Sequence, residues 1–110
     1  MNFYMGNSID EIDEQDSNVE FSDELIDFIY ELNSQVELDM HQLYDINPYD
    51  DVEISINDLP QIIEICKYIL NEELLQDYKE PDEGDQMLQD LMEIAQKAIS
   101  KKLGLVSVGD

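Results

Sequence analysis

Residues 45–70, DINPYDDVEISINDLPQIIEICKYIL, run from a rigid acidic turn straight into the most apolar helical stretch of the chain. Pro48 locks its own φ and pushes Asn47 out of the helical region, so a turn is fixed from which Tyr49, Asp50 and Asp51 project. Val52, Ile54 and Ile56 alternate with Glu53 and Ser55, which predicts a short half-buried extended segment over 52–56. Asn57 or Asp58 is then placed to cap a helix that accepts Pro60 in its first turn, where no intrahelical N–H bond is needed. On a 3.6-residue wheel Leu59, Ile62, Ile63, Cys66, Ile69 and Leu70 share one face, a stripe that must pack inward.

Outward from this stretch the clearest pattern is a second amphipathic helix. Ser22 is a good N-cap, Asp23 and Glu24 follow in the first turn where the helix dipole favours negative charge, and Leu25, Phe28, Ile29, Leu32 and Val36 keep the helical period. Asp23, Asp27, Tyr30 and Glu31 fall on the opposite face. Such a polar stripe is ordinarily solvated surface, but no lysine or arginine is interleaved to neutralise it. Like charges at i,i+4, such as Asp27 and Glu31, cost a few tenths of a kcal/mol. Val36 to Ile46 fits either a strand or a helix and is read as helix. A kink or break is expected near Asn71, where the apolar phase slips. Pro81 and Gly84 make residues 80–84 a linker, and a last helix follows from about Asp85 to Leu103, with Gly104 as its left-handed cap. Residues 1–6 form an apolar anchor or short strand, residues 7–20 a possibly loose acidic segment, and LVSVGD an apolar tail. The expectation is one domain over 1–110, mainly α, of three to five helices with at most the short extended segment near 52–56.

The charge is anomalous. Twenty-eight acidic residues face five basic ones, all lysines, for a net charge of −23. Lys67 is the first of them, so 18 of the acids lie in the first 66 residues with only His41 as a possible cation. Solubility alone takes a net charge of magnitude about 2 to 8 in a small domain. A field this negative repels nucleic acid and anionic lipid and steers basic proteins inward. Adaptation to high salt is the competing explanation.

Chemistry is harder to find. Cys66 is single and on the apolar stripe, which makes it an inert buried thiol. His41 has no companion at metal-ligand spacing, and no acidic run keeps the calcium-loop pattern, so no metal and no cofactor are expected. Carboxylate pairs such as Asp50 and Asp51 are too numerous to single out, and no nucleophile motif or phosphate-cradling glycine loop occurs. No enzyme is expected. The opening MNFYMGNSIDEIDE lacks a basic n-region and an h-region, and no apolar run approaches the ~20 residues needed to span a bilayer, which predicts a cytoplasmic chain.

DINPYDDVEISINDLPQIIEI resembles an I-[DN]-P-Y-x-D turn followed by a capped helix, a pattern similar to one in small bacterial proteins, some of which are candidates for toxin immunity. The resemblance covers about a fifth of the chain. More broadly, a small, acidic, arginine-free chain is similar in kind to the immunity proteins of bacterial toxin systems, including those of colicins and contact-dependent growth inhibition. It lacks the details of the colicin DNase immunity proteins, so their contact residues are not carried over. The resemblance implies a stoichiometric inhibitor that covers the cationic substrate-binding surface of a nuclease toxin. Alternatives are a DNA mimic that blocks a DNA-binding or defence protein, and an acidic adaptor with no toxin partner. The candidate partner-binding residues are Tyr44, Asp45, Tyr49, Asp50, Asp51 and Glu53 around the turn, and Asp23, Asp27, Tyr30 and Glu31 on the helix. Tyrosine supplies contact area at low entropy cost, and the carboxylates supply register and fast association.

Overall fold

The N-terminal and C-terminal strands pair with each other at the centre of a four-stranded antiparallel sheet, so the fold is α+β rather than mainly α. The computed structural model describes residues 1–13 and 15–109. Strand β1 (Asn2–Met5) pairs on one side with β2 (Asn18–Glu20) and on the other with β4 (Leu105–Val108). Strand β3 (Val52–Ile54) completes the order β2-β1-β4-β3. Helices α1 (Asp23–Leu32), α2 (His41–Tyr44), α3 (Leu59–Asn71) and α4 (Pro81–Ser100) supply the rest. The expectation of a mainly α domain left β1 as one of two readings of residues 1–6 and missed β2 and β4. They are three or four residues long, and their stability comes from partners far away in sequence rather than from local pattern.

The register explains which residues go inside. Phe3 lies opposite both Val19 and Ser107, and Val52 opposite Ser107, so these four share one face of the sheet with Leu105 and Ile54. Phe3, Ile54 and Leu105 join the apolar stripes of the helices in one core, and Phe3 meets Phe21 edge to face at 5.9 Å. Burying a side chain such as Phe3 contributes about 1.5–3 kcal/mol relative to exposure. Tyr4 and Val106 point to the other face and are also buried. The acidic segment after β1 crosses that face: a 3-10 turn at Ile9–Glu11 is held where the Ile9 N–H donates to Glu53 Oε2 at 3.0 Å, and Asn7 Oδ1 accepts from the Gly104 N–H at 2.9 Å. The segment read as loose is thus a turn and a strand, with Glu14 outside the described residues.

Several boundaries move for physical reasons. Ser22 caps α1 as expected, its Oγ accepting from the Leu25 N–H at 3.1 Å, but α1 stops at Leu32 and Val36 lies beyond it. Only His41–Tyr44 of the stretch read as a helix is helical. Asp58 stands at the N-cap of α3, one of the two residues expected there, but its side chain makes no cap bond; Ser55 caps the 3-10 turn before it, its Oγ accepting from the Asn57 N–H at 3.2 Å. Helix α3 ends at Asn71, followed by Glu73 in the left-handed region at φ 52°. Residues 80–84 are not a linker. Pro81 is the first residue of α4, where a missing N–H costs nothing, and Gly84 is buried inside the helix because a Cβ there would come within 2.7 Å of Leu75 Cδ1. The left-handed residue after α4 is Lys102, at φ 61°, not Gly104. Gly104 answers a different need: a Cβ would sit 2.2 Å from the carbonyl oxygen of Ile54.

Candidate functional site

Asp23, Asp27 and Tyr30 are spaced i, i+4, i+7 on α1, so they line one face of the helix over about 10 Å. The chain after α2 runs back along that face. Tyr44, on the last turn of α2, packs edge to face against Tyr30 with ring centroids 5.1 Å apart. Five residues later the Tyr49 hydroxyl donates to Asp23 Oδ2 at 3.1 Å. The helix stripe and the Pro48 turn, two separate candidates in the sequence, therefore form a single surface of Asp23, Asp27, Tyr30, Tyr44, Asp45 and Tyr49. Tyr30 and Tyr49 are 63% and 66% exposed, which is unusual for rings of this size and places apolar area among carboxylates.

The turn is rigid because almost every polar group in it is used. Asn47 Oδ1 accepts from the Tyr49 N–H at 2.9 Å, an Asx turn, while Asn47 Nδ2 donates to Asp50 Oδ2 at 2.9 Å. Asp51 Oδ1 accepts from the Gly109 N–H at 3.1 Å and ties the turn to the end of β4. Gly109 approaches so closely that a Cβ would lie 2.4 Å from the Tyr49 carbonyl carbon. Asp50 and Asp51 thus hold the turn together, and Glu53 secures the acidic segment through Ile9. These three support the surface more than they furnish it.

Glu31 sits on the flank of α1, beside a shallow groove shared with Glu24, Phe28 and Tyr78. Here the structure corrects the reading of an unneutralised stripe: Lys79, from the turn before α4, forms an ion pair with Glu24. That hydrogen bond to Glu24 raises the Lys79 pKa above its ordinary value. Sequence reasoning could not see this cation, because 55 residues separate the partners. The pair is exposed and screened by solvent, and it leaves Asp23 and Asp27 without an ion pair to lysine.

Around Tyr44 the environment favours a protonated phenol. Desolvation, then the charges of Asp39 and Asp45, raise its pKa above the ordinary value. His41 is exposed and its Nδ1 lies 2.8 Å from Asp39 Oδ2. Asp39 is held below the usual carboxylate range, chiefly by accepting the His41 backbone N–H. Cys66 is fully buried and burial pushes its thiol up to about 12, which makes it unreactive. Among the described residues no cluster of three or more His, Cys, Asp or Glu is arranged to hold a metal ion. Nor is any helix among them long and apolar enough to cross a membrane.

The sequence also passed over Gln42. Its Nε2 reaches Asp58 Oδ1 at 3.5 Å, and its Oε1 is buried with no hydrogen-bond partner. Exchanging the amide atoms would set Oε1 against the carboxylate, so the orphan acceptor is the better assignment. No protein-family model, curated protein or solved structure matches the chain.

Proposed function

We propose that this chain is an acidic binding protein that occupies the cationic surface of a basic protein one to one. Within that class we infer an immunity protein that neutralises a bacterial nuclease toxin in the cytoplasm. The observation that carries the reading is the Tyr49–Asp23 hydrogen bond, which joins the Pro48 turn to α1 and makes one preorganised patch of two. Groups already fixed lose little entropy on binding, and exposed tyrosines ringed by carboxylates match the chemistry of interface hot spots. The elements of the patch carry no lysine of their own, and Lys79, which pairs with Glu24, lies on its flank beside Asp27 and Glu31, so the patch stays predominantly negative. A nuclease grips phosphates with lysine, arginine and histidine, and its substrate surface is the natural complement. The same patch distinguishes this reading from a DNA mimic, which needs a long array of carboxylates and gains nothing from two exposed rings.

The test is affinity capture from the native cell with the wild type, the double variant Tyr30→Ala/Tyr49→Ala, and Gln96→Ala on the exposed side of α4. A basic protein retained by the wild type and Gln96→Ala but lost from the double variant is expected. Its nuclease activity should be abolished at a one-to-one ratio. A partner held equally by the double variant would refute this interface, and a partner without cationic character would refute the class.

A further inference from the structure

The outer edge of β3 is the other place where this chain can receive a partner. Strand order puts β3 at the margin of the sheet, paired among the described residues only with β4. Beyond it lies a groove of about 320 Å³ between β3, α2 and the first turns of α3. Val52, Glu53 and Ile54 all line it. Successive side chains of a strand point to opposite faces, so a cavity lined by three in a row opens on the strand's edge, where unpaired backbone groups lie. The floor is apolar, with Ile46 and Ile62, and the rim carries Asp45, Glu53 and Asp58. Gln42, with its partnerless Oε1, forms part of the wall.

We propose that this groove takes an extended basic segment of the partner, which adds to β3 as a fifth strand and lowers a lysine or arginine side chain between Gln42 and the carboxylates of Asp45 and Asp58. The proposal deepens the binding reading and rests on it, since Asp45 belongs both to the Tyr30–Tyr44–Tyr49 surface and to the groove. Backbone pairing supplies affinity and the alternate side chain supplies selectivity, as in other cases of strand addition. The Gln42 amide turns about its broad terminal torsion to meet an incoming donor, giving up only the long contact to Asp58. A cation is the fitting occupant because every charged group on the rim apart from His41 is acidic, and His41 is already joined to Asp39. The opposite margin, β2, is less suited: its groove is shared with Lys97.

The experiment titrates the full chain at low ionic strength with an acetylated, amidated heptapeptide of alternating lysine and valine, followed by amide NMR. A second peptide is N-methylated at alternate residues, so that it keeps its charge but cannot pair with an edge. Shifts concentrated at Val52–Ile54 and the Gln42 side-chain amide are expected, with affinity at least about tenfold weaker for the N-methylated peptide and for Gln42→Leu. Equal affinity of the two peptides, or shifts spread over all acidic surfaces, would show charge attraction alone and overturn the proposal. Absence of binding would overturn it too. Should Gln42→Leu fail to fold, the peptide pair still decides. Tyr30→Ala/Tyr49→Ala leaves peptide binding unchanged while it abolishes partner capture, so failure of the groove and failure of the binding reading are separately visible.

Discussion

The Tyr49 hydroxyl and the Asp23 carboxylate, 26 residues apart in sequence, meet at 3.1 Å and close the turn after α2 against the first turn of α1. The bond is exposed and its stabilising effect on the fold is small. Its larger effect is to hold a ring in place over a helix N-terminus that already favours the aspartate's charge.

Tyr49→Phe removes this bond while keeping the ring. Unfolding in urea should shift by less than about 1 kcal/mol, whereas dissociation from the captured partner should quicken severalfold as the ring loses its anchor. An unchanged dissociation rate would mean that the bond does not orient the binding surface.

Phe3 is fully buried in the sheet's core face, so Phe3→Ala should cost about 3–5 kcal/mol. That is a large part of the ~5–15 kcal/mol available to a domain of this size, and circular dichroism should show substantial unfolding at 37 °C. A mild effect would mean that β1 is dispensable and that the helices alone hold the core.

Gly104→Ala forces a methyl against the Ile54 carbonyl oxygen, from which it would lie 2.2 Å. Because the obstacle is backbone, β3 and β4 must part, and destabilisation of at least about 1–3 kcal/mol is expected from denaturant midpoints. Gly6→Ala, where the nearest atom is a side-chain methyl of Ile12 at 3.0 Å, should be the milder change.

Stability should rise as pH is lowered from neutral toward the ordinary carboxylate value of about 4. Glu83 is raised above its ordinary pKa chiefly by its hydrogen bond with Glu80, and Asp85 chiefly by desolvation. Raised acids bind their protons more tightly when folded, so their stabilisation is complete below the ordinary carboxylate value of about 4 and is lost as pH rises through the folded value. Asp39, which is lowered, acts in the opposite sense: its contribution is present above its ordinary value and disappears only in stronger acid. Thermal midpoints of the wild type and Glu83→Gln/Asp85→Asn across this window check the account, and the double variant should show a flatter profile.

Added salt should raise the thermal midpoint and slow association with a basic partner, because screening relieves repulsion within a net charge of −23 and weakens steering. An association rate indifferent to ionic strength would reject electrostatic steering.

What could be read in the sequence was what is local. Ser22, the stripe from Leu59 to Leu70 and the alternation of Val52 and Ile54 each follow from neighbours within a few residues, and each stands in the structure. Tyr4 and Val106 carry no such signal, since their burial depends on a sheet assembled from both ends of the chain and an acidic segment laid across it. Gly84 looks like a helix breaker until Leu75 and Tyr78 are seen against it. The candidate site was legible as residue types but not as a surface. Only the antiparallel course of residues 44–49 along α1 reveals that the helix stripe and the turn are one patch.

Pairing β1 with β4 sets Asn2 opposite Val108 and Met5 opposite Leu105. Tension applied between residues 1 and 109 therefore acts along the ladder's hydrogen bonds, which lie perpendicular to antiparallel strands, and loads them one after another instead of together. The molecule should unzip from the open end of its central strand pair at low force, whatever its resistance to denaturant. The first event under load should be the parting of Asn2 from Val108.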